Sequence, residues 1–410
     1  MTEPDRLAWR ITAVLFGAQC LASAAFIATS TVTAIAGAAL SGHKSWAGVP
    51  SAVSSLAGAG AAFLWGVLMD RFGRRRALTI GLLLGAVGAA LSVGAIGMGS
   101  FALFVCGMAL VGTANAAITL GRFVAAEVHS PATRGRAISY VVLGGTAGAI
   151  GGPLLVMPAG RLAMGAGASE LAGPFAAAVS LLLVAGAVMA AFLRPEPRTL
   201  VTNASVSGDR HLESAPRRSI RQILRTPAAA AAVAAMTFSQ VVMVGLMVIT
   251  SLYMEDMHHG LGEISVVFSA HTIGMYGFSL LSGRLLDRWG RRPVILLGGV
   301  ILVLACLTAP LTGDTFPIAV SLLLLGLGWN FCFVGGSTLL ADQLAPAERG
   351  RTQGFNDLLV GLASTVGSLG SGVASARYGY GGVGLAGAVL VILPIVVVGR
   401  WARAERRLAR

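Results

Sequence analysis

Two stretches of this sequence carry nearly the same motif: Gly66-Val-Leu-Met-Asp70-Arg-Phe-Gly73-Arg74-Arg-Arg and Gly283-Arg-Leu-Leu-Asp287-Arg-Trp-Gly290-Arg291-Arg-Pro. A second pair of motifs, Pro131-Ala-Thr-Arg134-Gly-Arg and Pro346-Ala-Glu-Arg349-Gly-Arg, is separated along the chain by nearly the same displacement. Because both motifs recur in the same order, the second half of the chain is a parallel copy of the first. We therefore expect two similar structural halves.

The composition indicates a protein that lies in a lipid bilayer. Of the 410 residues, 55% are hydrophobic and 11% are charged, whereas soluble domains carry about a quarter charged residues. The 55 glycines suit helices that pack closely in lipid. No Gly-x-x-x-x-Gly-Lys nucleotide-binding loop is present, so we do not expect an ATP-driven pump. The membrane-embedded composition also leads us to expect that the protein is not an enzyme.

Apolar stretches long enough to cross a bilayer, about 20 residues each, recur along both halves. They lie at 11–38, 46–69, 77–98, 101–125, 137–158 and 172–193, and then at 228–254, 264–286, 293–311, 316–341, 353–375 and 382–400. We predict an all-α membrane protein with twelve transmembrane helices in two six-helix halves. The halves are 1–193 and 227–410, joined by a polar, arginine-rich linker at 194–226.

The basic residues are distributed unevenly between the two sides of these spans. The linker, the C-terminal tail and every second loop contain most of the arginines, whereas the opposite loops hold little more than Lys44, Arg161 and Arg377. Short loops rich in Lys and Arg stay in the cytoplasm, so we predict that both termini and the linker are cytoplasmic. The net charge of +13 is then a topology signal and requires no nucleic-acid partner.

The Gly-x-x-x-Asp-Arg-x-Gly-Arg-Arg loop between spans two and three resembles the signature of the major facilitator superfamily, and the resemblance covers essentially the whole chain. It implies the major facilitator fold, a monomer, and alternating access by rocking of the two halves around a substrate near the midplane. In the first copy Arg74 can reach a carboxylate such as Glu127. The residues expected to form a cytoplasmic conformational gate are Asp70, Gly73, Arg74, Asp287, Gly290 and Arg291.

Spans seven and eight contain two pairs of side chains with metal-ligand chemistry. Met243 and Met247 are four residues apart, which places them on one helix face. His271 and Met275 have the same spacing, and the turn between the spans centres near His259, so the two pairs fall at matching depths. Thioethers and imidazole bind soft ions such as Cu(I), so the two pairs could surround one ion. Packing by flexible methionine side chains is the alternative interpretation.

The motif Met-x-x-x-Met in span seven with His-x-x-x-Met in span eight resembles the CcoA-like branch of the superfamily, bacterial copper importers that supply the cbb-type cytochrome c oxidase. The resemblance carries over only Met243, Met247, His271 and Met275. It implies copper uptake across the bacterial inner membrane, with copper as the transported substrate rather than a resident cofactor. A cytoplasmic copper chaperone is the partner implied.

The competing hypothesis is a proton-coupled exporter of small lipophilic compounds. Span five contains Gly144-x-x-x-Gly148-x-x-x-Gly152-Pro153, which resembles the glycine–proline motif of drug antiporters. The arginine that those antiporters carry in span four is absent here.

Three further groups of residues stay open as contributors. The outer loop combines Met254, Met257, His258 and His259 with Glu255, Asp256 and Glu263 as a possible ligand-bearing entrance. Asp357, about a turn inside span eleven, is either functional or faces the cytoplasmic loop. The four cysteines, interpreted as buried hydrophobic residues with Cys20 and Cys332 as alternative relay ligands, are Cys20, Cys106, Cys306 and Cys332.

Overall fold

A computed structural model describes residues 3–130, 133–197 and 218–408 of the protein. The central arginines predicted for the linker, Arg198, Arg210 and Arg217, lie outside the described residues. The described segments are helical and are joined by short turns, as expected for a chain with this apolar composition. They divide into two compact units, each treated separately below.

The first unit comprises Met1–Leu40 and Val53–Ser214. Its helices are α1 (Glu3–Ser41), α2 (Val49–Phe72), α3 (Arg74–Met98), α4 (Phe101–Thr119), α5 (Gly121–Glu127), α6 (Arg134–Gly151), α7 (Val156–Gly165) and α8 (Ala172–Phe192). The core is apolar, and α3 packs along both α4 and α8. Close approach requires glycine at Gly148, because a Cβ atom there would overlap the carbonyl oxygen of Cys20 on α1.

The second unit comprises Ser41–Ala52 and Ala215–Arg410. Its helices are α9 (Ile220–Leu224), α10 (Pro227–Asp256), α11 (Leu261–Tyr276), α12 (Ser279–Trp289), α13 (Arg291–Thr308), α14 (Thr315–Asp342) and α15 (Pro346–Leu408). Helix α10 packs mainly on α15 and also on α14, whereas α11 packs along α14. Helix α14 therefore supports both helices that carry the predicted metal ligands.

Eleven helical segments of the described residues are long and apolar enough to cross a membrane. The last one, Thr352–Gly399, has 48 residues, or roughly 72 Å at 1.5 Å per residue, which exceeds a single crossing. It contains Gly379 at φ 67° and ψ −175°, where two helices meet. Two spans, as predicted at 353–375 and 382–400, account for its length, and the predicted all-α membrane fold is confirmed.

Three of the predicted spans are interrupted among the described residues, which was not predicted from the sequence. Span four is divided at Leu120, between α4 and α5. Span five changes from α6 to α7 through a 3₁₀ turn at Pro153–Leu155, where Pro153 lacks the backbone N–H that a continuous helix needs. Span eight is divided into α11 and α12, with Gly277 and Phe278 between them. The interruption of span eight, at Gly277, lies two residues after the predicted ligand Met275.

Candidate functional site

The signature loop of the first unit connects α2 to α3 through ionic contacts. Gly73, at φ 90°, permits the turn between the two helices. Arg74, at the start of α3, lies 3.2 Å from Asp70 and donates from Nε and Nη2 to Glu127 at 3.0 and 3.1 Å. The loop thus ties α2 and α3 to the end of α5.

Glu196 also contacts this loop, and it was not predicted from the sequence. Its Oε1 accepts from the backbone N–H groups of Arg74 and Arg75 at 2.6 and 3.3 Å, so it caps the first turn of α3. The signal that could have identified it is an acidic residue in an otherwise basic segment after span six.

The signature loop of the second unit repeats this arrangement. Gly290 has φ 83°, and Arg291 Nε donates to Asp342 Oδ2 at 2.9 Å, while Asp287 is exposed. Glu127 and Asp342 each precede a repeated Pro-Ala motif by four residues, so they occupy equivalent positions. Because Glu127 is the partner of Arg74, the repeat predicts that Asp342 is the partner of Arg291.

The four predicted metal ligands lie on α10 and α11. Met243 and His271 are buried, at 4% and 1% exposure, and Met247 and Met275 are partly buried. Within the described residues, α10 and α11 each pack on α14 and not extensively on one another. The matched depths of the two pairs therefore stay a prediction, and so does their meeting around one ion.

His271 is held by the neighbouring helix. Its Nδ1 lies 3.0 Å from the carbonyl oxygen of Leu322 on α14, and its Nε2 is buried without a hydrogen-bond partner among the described residues. Gly274 and Gly326 permit this contact, because a Cβ atom on either would overlap backbone atoms of the facing helix. A carbonyl can only accept, so the neutral imidazole donates from Nδ1 and presents a lone pair at Nε2.

A polar and aromatic network centred on Gln240 lies on the same supporting helix. Trp329 Nε1 donates to Gln240 Oε1 at 2.7 Å, and Gln240 Nε2 donates to Ser364 at 2.9 Å. The Trp329 ring stacks on Phe333 at 4.7 Å and meets Tyr276 edge-to-face at 6.4 Å. Three helices of the second unit are thereby connected through one buried glutamine.

The outer loop is engaged in internal contacts. His259 lies 2.9 Å from Glu263 and 2.6 Å from the Gly313 carbonyl, and Asp256 pairs with Lys44 at 2.7 Å. Met254 is buried. No group of three or more His, Cys, Asp or Glu side chains that could hold a metal is found among the residues that the structure describes.

The remaining open candidates occupy varied positions. Cys306 and Cys332 are buried, Cys20 is partly buried, and Cys106 is exposed; all four are free thiols. Asp357 is exposed on α15. The proposed relay by Cys20 and Cys332 stays a prediction.

Comparison with known proteins supplies the family context for this geometry. The sequence model described as "Major Facilitator Superfamily" matches residues 14–262 and 238–410. The chain is 33% identical over 394 residues to the uncharacterized MFS-type transporter YdeG of Bacillus subtilis (strain 168), covering 94% of this chain and 90% of that protein. It is 30% identical over 292 residues to the riboflavin transporter RfnT of Brucella anthropi, covering 71% of this chain and 70% of that protein.

Solved structures show the same fold. A bacterial homologue of the human lysosomal transporter Spinster superposes with a TM-score of 0.74 at 14% identity, covering 99% of this chain and 98% of that one. At this identity the likeness concerns the fold alone.

Proposed function

Because the chain belongs to the Major Facilitator Superfamily, whose proteins are transporters and not enzymes, we propose that this multi-pass secondary transporter carries copper, as Cu(I), into the cytoplasm. The cargo binds in the second half, at Met243, Met247, His271 and Met275. Alternating access of the two halves moves it across the bilayer. The copper serves cytochrome oxidase biogenesis, and a cytoplasmic copper chaperone receives it.

One observation carries this proposal, namely the orientation of the buried His271 ring. Its Nδ1 faces the Leu322 carbonyl, and its Nε2 has no hydrogen-bond partner among the described residues. Metal-ligating histidines usually donate their other ring N–H to a carbonyl or carboxylate, which fixes the tautomer. Met275 lies one helical turn away and adds a thioether.

The chemistry of these donors suits a monovalent soft ion inside a bilayer. Thioether and neutral imidazole are preferred ligands of Cu(I), whereas Mg²⁺ and Ca²⁺ prefer oxygen. None of the four side chains adds a negative charge, so no buried carboxylate has to be desolvated before the ion arrives. Neutral donors also favour release, which a transporter requires.

A second candidate cargo is a planar heteroaromatic compound such as riboflavin. The aromatic cluster of Trp329, Phe333 and the partly buried Tyr276 supports it, since aromatic rings stack on planar ring systems. The relative RfnT is named a riboflavin transporter, and it is 30% identical over 71% of this chain.

Uptake measurements on two variants separate the two cargoes. Cells that lack their own copper and riboflavin importers would express the wild-type chain, Met247→Leu or Trp329→Leu, and would be given labelled copper or labelled riboflavin. Copper transport predicts that Met247→Leu abolishes copper accumulation. Met189→Leu, at a fully buried position of α8 in the first unit, is the matched control.

Each outcome assigns a different function. Loss of copper uptake in Met247→Leu alone, at equal protein level, supports the copper proposal. Riboflavin uptake that is lost in Trp329→Leu and retained in Met247→Leu supports the second candidate. Drug resistance without uptake of either compound would favour the lipophilic-compound exporter.

We propose a bacterial inner-membrane location with both termini in the cytoplasm, on the basis of the arginine asymmetry between loops. Reporter fusions at the linker and in the loop that contains His258 and His259 test this orientation. A linker fusion that reports an external location would contradict it.

A further inference from the structure

Span eight is interrupted inside the membrane, next to a proposed ligand. Helix α11 ends at Tyr276 and α12 begins at Ser279, with Phe278 at φ −97° and ψ 8° between them. The break lies roughly 24 Å along the span from Leu261, at 1.5 Å per residue. Backbone groups at a break of this kind need partners from neighbouring helices, because lipid offers none.

At this break the Ser279 hydroxyl donates to the Tyr276 carbonyl at 2.8 Å within the span, and Asn330 supplies the partner from α14. Its Nδ2 donates to the Met275 carbonyl at 2.5 Å and to Ser279 Oγ at 3.3 Å. Its Oδ1 accepts from the Ser282 hydroxyl. The single amide therefore contacts α11 on one side of the break and α12 on the other. Both Asn330 and Ser282 are buried, at 2% and 0% exposure, so water does not compete for these hydrogen bonds.

The same helix also fixes the other half of the ligand pair. Gly326, one turn before Asn330, lies against the backbone of His271 and Met275, and the Leu322 carbonyl receives the His271 ring. Leu322, Gly326 and Asn330 are spaced by four residues, so they form one face of α14. This face of α14 therefore contacts the segment from His271 to Ser279 at three positions, each one helical turn apart.

The first half of the chain shows that this arrangement is not a general consequence of the repeat. Asn115 and Asn330 each lie sixteen residues before a repeated Pro-Ala motif. The corresponding span of the first half, α2, nevertheless continues without interruption from Val49 to Phe72. The break and its amide contacts are therefore a specialisation of the half that carries the proposed cargo ligands.

We infer that Asn330 is a positioning residue for transport: it fixes the break in span eight and thereby sets the Met275 thioether relative to His271. The inference rests on the proposed function, because Met275 and His271 are taken as cargo ligands. When Asn330 is replaced, the Met275 carbonyl loses its side-chain donor, and of the α14 contacts at Met275 only the backbone packing against Gly326 remains. The cargo then binds more weakly.

The test compares two buried asparagines in the full-length protein reconstituted in liposomes. Asn330→Leu removes both hydrogen-bonding functions and keeps the number and branching of the side-chain heavy atoms, and Asn356→Leu makes the same change in size. Asn356→Leu is the matched control, because Asn356 is also 2% exposed and, among the described residues, the hydrogen-bond partner of its Nδ2 is the Met236 sulfur, at 3.6 Å. We expect the KM for labelled copper to rise about ten-fold in Asn330→Leu, as for one lost neutral hydrogen bond, with the maximal rate within about two-fold. The KM of the control stays at the wild-type value.

Two additional measurements make each result decisive. Asn330→Asp, whose buried carboxyl group is protonated and keeps one donor, should restore much of the wild-type KM. Hydrogen exchange at residues 276–282, measured without copper, should be faster in Asn330→Leu than in Asn356→Leu.

An unchanged KM with faster exchange would overturn the positioning role, and unchanged exchange would overturn the contact itself. If the wild-type protein transports no copper, the proposed function fails, while the exchange measurement still decides whether Asn330 fixes the break.

Discussion

The Nδ1 atom of His271 lies 3.0 Å from the carbonyl oxygen of Leu322, and this contact crosses from α11 to α14. The hydrogen bond fixes which ring nitrogen carries the proton, because the carbonyl can only accept. It also fixes the direction of Nε2, which is the atom that the copper proposal assigns to the cargo ion.

Replacement of His271 distinguishes ligation from packing. His271→Leu should reduce copper uptake by at least about ten-fold, because it removes the imidazole donor. His271→Met should retain measurable copper uptake, because a thioether is also a soft ligand. The measurement is the initial rate of labelled copper uptake at equal protein level. Equal uptake rates in the two variants would indicate that His271 contributes by packing and not by binding the ion.

Glu127 should matter more than Asp70 in the signature loop of the first unit. Glu127 accepts two charge-assisted hydrogen bonds from Arg74, a class that contributes about 1.5–3 kcal/mol each. Asp70 is 76% exposed at 3.2 Å from Arg74, and such exposed pairs contribute about 0–1 kcal/mol. Glu127→Gln should therefore slow transport more than Asp70→Asn.

Both substitutions should leave the copper affinity of the purified protein nearly unchanged, because Asp70 and Glu127 lie at the ends of α2 and α5 and are not among the proposed ligands. Competition with a chelator of known affinity measures this. Lost binding with retained uptake, in either variant, would contradict a purely conformational role.

The repeated loops and the helical fold were accessible from the sequence because they depend on local rules. Apolar length predicts spans, and Gly73 and Gly290 mark turns with positive φ, which both glycines adopt. Asp342 was missed although it occupies the position equivalent to Glu127 in the repeat, and Glu196 was missed because a carboxylate partner from another segment is chosen by tertiary packing. The break after Tyr276 was missed for the same reason: Gly277 is tolerated within many membrane helices, and the amide of Asn330, which contacts both sides of the interruption, comes from another span.

The candidate site was predicted only as a set of residue types. Spacing places Met243 with Met247, and His271 with Met275, on their helix faces. Spacing cannot show that both helices pack on α14, which depends on glycine contacts such as that of Gly326.

Arg218 and Glu348 should stabilise the second unit in a pH-dependent manner. Glu348 is 4% exposed and accepts from Arg218 Nε and Nη2 at 3.0 and 2.7 Å. The hydrogen bonds from Arg218 lower the pKa of Glu348 to about 2. A lowered pKa in the folded state means that the contribution is present above the ordinary value, near 4.5, and is lost as the pH falls toward about 2.

Melting temperatures in detergent at pH 7, 4 and 3 check this prediction. Glu348→Gln should melt below the wild-type protein at pH 7, and the difference should narrow at pH 3. A constant difference across this range would show that the carboxylate charge does not contribute.

His259 should give the opposite pH dependence at the outer loop. The Gly313 carbonyl, followed by Glu263, accepts hydrogen bonds from the ring and raises the pKa of His259 above its ordinary 6.5. Its contribution is then fully present below pH 6.5 and is lost as the pH rises through the raised value. Wild-type and His259→Gln proteins should differ most in melting temperature near pH 5.5 and converge toward pH 9. Convergence at the acidic end instead would contradict the assignment.

The methionine pair on α10 gives the sharpest test of the cargo. Leu matches Met closely in volume, and such swaps in a core usually cost less than about 1.5 kcal/mol. Met243→Leu with Met247→Leu therefore removes two sulfur atoms while the protein should still fold and reach the membrane. We expect copper accumulation to fall to the level of cells without the transporter, whereas Met189→Leu, a fully buried position of the first unit, should accumulate copper normally. The pH profile is less informative, because protonation of His271 weakens ligation at acid pH while a proton-driven mechanism would oppose that trend. Normal copper accumulation by the double variant at wild-type protein level would assign both residues to packing. The riboflavin and lipophilic-compound alternatives would then take precedence.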